Sequence, residues 1–500
     1  MKRYFAVDLG AESGRCIAGC LENGTLIMDE LHRFPTQYFL CAGTLRWNIY
    51  RFYEEICTGL RGYAAKYGPE LCSIGVDTWG CDYALFDADN RLLDLPYAYR
   101  DSRVQGSLER ILPHREWLYG KTGIQFLEFN TLNQLIREYE NPGSRVNLAA
   151  RFLFMGDALH LLLGARPVCE YTTASISMMV DTGAKQWDSE IVTRFGIPAG
   201  ICPELCFAGD VIGVLRDDIA DSVGLKRGVQ IIAPAVHDTA SAALAIPAKG
   251  SSFAFISSGT WSIFGTELGE PVLDRTACEL NMSNSGGALG KSLFLKNVMG
   301  LWILQQCKRQ WNKTNPGLDY HTIMTMAETA KPFFAVLDPD APDFFNPENM
   351  CEAICAYLKK TGQSGPGPGD AGQISRIVYE SLALKYRNVL ERIQKAAHKT
   401  AGTIHVVGGG SKDRLLNSFI ASAAALPVQA GPPEGTAMGN LLLQAYGSGD
   451  LSSIDEIRSV VAASTEVSGY APAEAARWED AYRRFTNLAS CQDTGEECNH

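Results

Sequence analysis

Apolar and polar positions change period several times along the chain, and each change marks a predicted element. Tyr4–Leu9 is a continuous apolar, β-prone run, which predicts a buried strand. The small residues of 10–14 form a turn, and residues 15–21 resume as a second strand. Asn23-Gly24 tolerates the left-handed backbone of a tight hairpin and leads into a strand at 25–28. A helical stretch over Ile49–Tyr67 precedes a buried strand at 73–77, and Tyr83–Phe86 runs into the turn Ala88-Asp89-Asn90. Residues 229–236 read as a buried strand, followed by His237-Asp238-Thr239 and a small-residue helix at 240–245. The pattern is mixed α/β from the start.

A similar strand, turn, strand layout returns about 250 residues on, with 253–257 running into Ser258-Gly259-Thr260 and then 261–266. This repeat predicts two domains with related hairpins facing a shared cleft. The Gly/Pro run at 364–369 cannot be helical and reads as a surface turn. After it, Ile377, Val378, Leu382, Tyr386, Val389, Leu390 and Ile393 recur at helical spacing on one face. Thr403–Val407 reads as a strand ending at Gly408-Gly409-Gly410, with a helix beginning near Asp413 and another after Gly431-Pro432-Pro433-Glu434-Gly435. The polar residues 490–500 are expected to fray.

Composition narrows the class. At 500 residues, 46% hydrophobic and 20% charged, one core is too small a plan, and the expected division is 1–245 and 246–500. A net charge of −11 argues against nucleic acid or an anionic membrane as partner, so any bound phosphate must be held locally. Lys2 and Arg3 meet Asp8 and Gly10 before an apolar segment of signal length forms, and no apolar run is long enough to span a membrane. Fifteen scattered cysteines fit a reducing compartment, so a cytoplasmic location is expected. No second cysteine pair or His-x-x-x-His completes a zinc shell around Cys16/Cys20, Cys202/Cys206 or Cys351/Cys355.

Six motifs carry candidate chemistry. In Asp8-Leu9-Gly10-Ala11-Glu12-Ser13-Gly14-Arg15 an acid at a strand end adjoins a turn whose backbone amides can approach phosphate oxygens. Asp8 suits hydrated magnesium, an ion that prefers oxygen ligands and retains water. The same residues also make an ordinary hairpin. Ser257-Ser258-Gly259-Thr260-Trp261 is its counterpart, and Val407-Gly408-Gly409-Gly410 offers bare backbone to a nucleotide base or ribose; no Walker lysine follows. His237-Asp238-Thr239 sits where a strand hands over to a helix, a place for an ionised carboxylate acting as general base and equally for a helix cap. Asp77-Thr78-Trp79-Gly80-Cys81-Asp82 and Tyr99-Arg100-Asp101-Ser102-Arg103 suit a polyol, or buried ion pairs.

Taken in this order, these motifs resemble the FGGY carbohydrate kinases, and the likeness spans residues 7–462. It is also carried by Gly123-Ile124-Gln125-Phe126-Leu127, Phe129-Asn130-Thr131, Leu295-Lys296-Asn297, Met299-Gly300-Leu301-Trp302 and Asn346-Pro347. The resemblance implies an α/β fold of two actin-like, ribonuclease-H-like domains flanking a catalytic cleft, the first binding sugar and the second ATP. It implies ATP and a small ketose as partners, with Mg2+ as cofactor. The expected reaction is transfer of the γ-phosphoryl to the 1-hydroxyl of L-rhamnulose, with L-fuculose or L-ribulose, or a non-kinase ATPase or sugar sensor, as alternatives. Asp238 is then the base, with Gly80, His237, Thr239 and Asn297 at the ketose; the polyol-type motif at 77–82 adds Asp82 to that set. Ala11, Glu12, Ser13, Gly14, Arg15, Thr260, Gln305 and Gly409 are expected at ATP, and Asp8 at the metal. Glu12 departs from the small residue common in relatives, and its charge beside phosphate calls for a cation such as Arg15.

Overall fold

The structure, a computed structural model, describes residues 2–248 and 250–494. Its contacts gather the chain into two compact units. The first comprises the chain up to the 249/250 crossing with residues 267–294 and 434–465; the second comprises 250–266, 295–433 and the chain from 466 on. The boundary expected at 245/246 lies beside the first crossing, and two later segments return to the first unit.

In the first unit a sheet runs in the order Val211–Val214, Gln230–Ile232, Ser73–Thr78, Tyr4–Leu9, Ser13–Glu22, Thr25–Pro35. Tyr4–Leu9 and Ser73–Thr78 are buried along their whole length, which is why they lack the alternation of a one-sided strand. They pair in parallel with Asp8 opposite Asp77, while Asp8 faces Arg15 across the antiparallel hairpin. The helix Gly435–Gly447 packs so closely that a Cβ on Gly75 would stand 2.8 Å from Asn440 Oδ1. Register is further pinned by Gln444, which accepts from Ser73 Oγ at 2.7 Å and donates to the Phe5 carbonyl at 3.1 Å.

The helix Ile49–Tyr67 has the expected bounds: Asn48 accepts from the Arg51 amide at its start, and Gly68 ends it at φ 84. Phe52, Ile56, Leu60 and Tyr63 form its buried stripe, and truncating Leu60 to alanine should cost about 2–5 kcal/mol. Asn23 and Gly24 take φ 50 and 78, the left-handed pair a two-residue hairpin needs. The following strand, Thr25–Pro35, outruns the expected 25–28 because it pairs along all of Ser13–Glu22. The strand expected at 229–236 shrinks to Gln230–Ile232. Pro234 has no N–H to give, and the Val236 N–H turns to the Glu170 carboxylate instead.

The second unit's sheet carries, in order, Ser292–Met299, Trp261–Leu268, Phe253–Ser258, Thr403–Val407, Val428–Ala430 and Ser468–Tyr470. The periodic face predicted after the Gly/Pro run belongs to the helix Ala371–Ala397, which buries Ile377, Val378, Leu382, Tyr386, Val389, Leu390 and Ile393. Residues 364–369 form neither helix nor strand. The last helix reaches Thr494, and the rest of the tail expected to fray lies outside the described residues. Among the described residues no helix is long and apolar enough to cross a membrane, and the described cysteines are free thiols.

Candidate functional site

Asp238 is the first residue of the helix Asp238–Leu244, and His237, extended at φ −72 and ψ 112, occupies the cap position. The carboxylate is therefore not the cap. Its Oδ1 accepts from Thr239 N at 2.6 Å and Thr239 Oγ1 at 3.1 Å, and no donor among the described residues reaches Oδ2. The side chain keeps 29% of its surface open. Burial, with the charge of Asp8 added, lifts its pKa from 3.8 to about 7. The sequence expectation is a carboxylate charged at neutral pH; in the structure desolvation acts against the partial charge at the start of this seven-residue helix.

His237 lies against it, with Nε2 3.8 Å from Asp238 Oδ1 and Nδ1 3.5 Å from Ser285 Oγ. Burial holds the imidazole neutral by lowering its pKa to about 4. Gly80 packs on the same ring: a Cβ there would stand 2.2 Å from Ile176 Cδ1 and 3.5 Å from His237 Cδ2. Asp238, His237, Thr239 and Gly80 thus come together. Asp82 does not join them. It has no exposed surface, its Oδ2 accepts from Trp47 Nε1 at 2.6 Å, Trp79 Nε1 at 2.9 Å and Tyr99 N at 3.2 Å, and its Oδ1 from Gln134 Nε2 at 3.2 Å. The sequence placed it at the sugar; its donors show a carboxylate committed to orienting two tryptophan rings 4.3 Å apart.

In the hairpin turn Ala11, Glu12 and Ser13 are half-buried, while Gly14 is buried with its missing Cβ 2.5 Å from the Phe34 ring. Arg15 pairs with Asp8 at 3.0 Å and with Glu434. Burial raises the pKa of Asp8, and Arg15 and Arg33 pull it back. Burial raises Asp77 further, reinforced by the charge of Asp8, while Asn440 Nδ2 donates to Asp77 Oδ2 at 2.6 Å. Asp8 Oδ2, for all its ion pair, and Asp77 Oδ1 receive no aligned hydrogen bond. Such hard, under-satisfied oxygens fit a magnesium ion. Among the described residues no group of three or more His, Cys, Asp or Glu is arranged to hold a metal, so an ion at Asp8 would keep water or phosphate in its shell.

The second unit holds the other predicted residues. Phe253–Ser258 and Trp261–Leu268 form a hairpin closed by Gly259 N to Trp261 O at 2.9 Å. The Gly259 and Thr260 carbonyls accept from Leu301 N and Trp302 N, tying the turn to the helix Trp302–Thr314 that carries Gln305. Gln305 Oε1 is buried without a hydrogen bond. The three glycines differ in their surroundings. A Cβ on Gly408 would meet Ser258 O at 3.0 Å and one on Gly410 would meet Ser258 Oγ at 2.0 Å, whereas Gly409 faces open space. Asn297 stands half-buried on Ser292–Met299, a neighbour of Trp261–Leu268 in the sheet.

Sequence reasoning missed Glu170, Thr172, Ser285 and Asn440. Glu170-Tyr171-Thr172 reads only as an acidic helix cap, and nothing local signals that it bonds the backbone at 236–237.

The comparisons fit this geometry. Residues 3–245 match the FGGY family of carbohydrate kinases, N-terminal domain, and 254–448 match its C-terminal domain. A rhamnulokinase of Bacteroides thetaiotaomicron is 40% identical over 97% of this chain and 99% of its own length. One of Oceanobacillus iheyensis is 36% identical over 93% of this chain and 97% of its own. A ligand-bound xylulose kinase from Lactobacillus acidophilus superposes with a TM-score of 0.81 at 14% identity, covering 98% of both chains, so the two-domain fold is shared. With both domain signatures in order and full-length relatives at such identity, the chain belongs to the FGGY family of carbohydrate kinases.

Proposed function

We propose that this sugar kinase transfers the γ-phosphoryl of ATP to the 1-hydroxyl of L-rhamnulose, giving L-rhamnulose 1-phosphate and ADP. The ketose is taken from relatives named rhamnulokinase, 34–40% identical across nearly the whole chain. The chemistry rests on one observation: Asp238 has one oxygen fixed by Thr239, the other open, and a pKa of about 7. A base is most effective when its pKa lies near the working pH.

In this reading Asp238 Oδ2 takes the proton of the attacking hydroxyl as the phosphoryl group arrives in line. Neutral His237 bonds a neighbouring sugar hydroxyl without adding charge, and Thr239 fixes the carboxylate. Gly80 leaves room beside the imidazole, and Asn297 completes the ketose set. Asp82 acts one step back, holding Trp47 and Trp79. Ala11, Glu12, Ser13, Gly14 and Arg15 with Thr260, Gln305 and Gly409 are assigned to ATP; in this reading the first domain carries most of the sugar contacts and the second most of the ATP contacts. Magnesium, when bound with ATP at Asp8, supplies charge neutralisation. A cytoplasmic location belongs to the same proposal, since free thiols suit a reducing compartment.

The test is a ketose panel with ADP release coupled to mass detection of the sugar product. L-Rhamnulose should give the highest kcat/KM and a monophosphate. Preference for L-fuculose or L-ribulose would reassign the substrate, and ADP without sugar phosphate would replace the kinase reading by an ATPase.

A further inference from the structure

Glu170 is fully buried, ends the strand Val168–Glu170 and caps the helix Tyr171–Ser175. A cap needs one acceptor contact, yet its Oε2 takes Thr172 N at 2.9 Å, the Thr172 hydroxyl and Val236 N at 3.0 Å. The next amide along, His237 N, donates to Thr172 Oγ1 at 3.2 Å. Two consecutive backbone donors immediately before Asp238 are therefore satisfied by one side-chain pair more than 60 residues away in sequence. The strand Gln230–Ile232 has ended by this point; on their other side residues 236 and 237 keep one isolated bridge, with Thr78 N donating to the Val236 carbonyl at 2.8 Å, and the two N–H groups are left to Glu170 and Thr172. Glu170 is itself held from behind, its own N–H donating to Asp157 Oδ1 at 3.1 Å, with Asp157 on the buried helix Met155–Leu163. Among the described residues no lysine or arginine forms an ion pair with Glu170. A buried carboxylate without a cation is costly, and a plain helix cap does not require one.

We infer that Glu170 and Thr172 are positioning residues for the kinase reaction: together they clamp the Val236–His237 backbone and so set the direction in which the Asp238 carboxylate leaves its helix. The clamp fixes the extended His237 conformation, φ −72 and ψ 112, from which the helix starts. Small misplacement of a base costs turnover while leaving nucleotide binding alone. The inference rests on Asp238 being the base.

Four variants test it beside Asp238→Asn, with ADP and sugar phosphate both measured. Thr172→Val keeps shape and removes the acceptor of His237 N; it should lower kcat at least tenfold with the ATP KM unchanged and flatten the acid limb of the kcat–pH profile. Thr172→Ser restores the hydroxyl and should recover kcat to within about threefold. Glu170→Gln retains an accepting oxygen and should stay within about fivefold, whereas Glu170→Ala should fall with Thr172→Val. Thr172→Val at wild-type kcat, or Glu170→Gln as impaired as Glu170→Ala, overturns the inference while an inactive Asp238→Asn leaves the base assignment standing. A fully active Asp238→Asn removes the base and this inference with it. Should Glu170→Ala fail to fold, the Thr172 pair decides alone.

Discussion

The two hairpin turns share a layout and differ in chemistry. Each joins the first two strands of its sheet, and in each the first strand pairs antiparallel with the second and parallel with a third. Around the first turn the side chains are charged: Asp8 and Asp77 adjoin, Arg15 spans Asp8 and Glu434, and the Asp8 charge is felt at Asp238. Around the second they are hydroxyls and glycines: Ser257, Ser258, Thr260, Ser262 and Gly408-Gly409-Gly410. A cluster of carboxylates with one arginine favours a cation and a proton, whereas hydroxyls and bare amides favour a phosphate chain. The lesson is that the repeated backbone supplies a frame, and the flanking side chains give the two turns different chemistry.

The strongest way to break this comparison is at Asp238. Asp238→Asn should fold and lose about 10²- to 10⁴-fold in kcat, the range for general-base catalysis, measured by coupled ADP release. In the parent enzyme kcat should fall about tenfold per pH unit below about 7 and level off above, because the base works only when ionised. Stability has the opposite sign. The folded state holds on Asp238 a proton that the unfolded chain releases near 3.8, so this contribution is present at acid pH and lost as pH rises through about 7. Asp238→Asn should therefore melt no lower than the parent at pH 8. A melting point well below the parent there would make Asp238 a structural residue.

A smaller effect separates the glycines of the second unit. Gly410→Ala drives a methyl to within 2.0 Å of Ser258 Oγ and should destabilise by about 1–3 kcal/mol, read by thermal or urea unfolding. Gly409→Ala meets nothing within 4 Å and should leave unfolding unchanged while raising the ATP KM severalfold. Equal loss of stability in both would mean that the loop is only packing, and the contrast with the charged first turn would lose its basis.

Local signals explain what the sequence made legible. Tyr4–Leu9, Ile49–Tyr67, Thr403–Val407 and both hairpins follow from apolar runs, caps and Asn-Gly or Gly turns, and Asp238 stood out because a strand-to-helix change is visible in a short window. Asp82 was misplaced because its polar neighbours in sequence resemble a sugar pocket, while its real partners, Trp47 and Gln134, lie 35 and 52 residues away. Glu170, Thr172 and Asn440 bond groups more than 60 residues away in the chain, and the return of 267–294 and 434–465 to the first unit is likewise long-range. The raised pKa of Asp238 is hidden for the same reason: burial is a property of packing, and the helix terminus is the part a sequence displays.

The finest distinction lies at Gly10. If its role were to bare an amide to phosphate, as the motif suggests, any side chain would hinder ATP. In the structure Gly10 N is already spent on Ser13 O at 3.1 Å, and an added Cβ would meet only Ser13 O at 3.4 Å, an ordinary contact. Its φ lies outside the left-handed region, so alanine introduces no backbone strain. Gly10→Ala should therefore keep the ATP KM within about twofold and stability within about 0.5 kcal/mol, the range of an unstrained surface change. A KM rise comparable to that of Gly409→Ala would show that the Gly10 backbone itself meets the nucleotide, and the contrast drawn between the two turns would lose its basis.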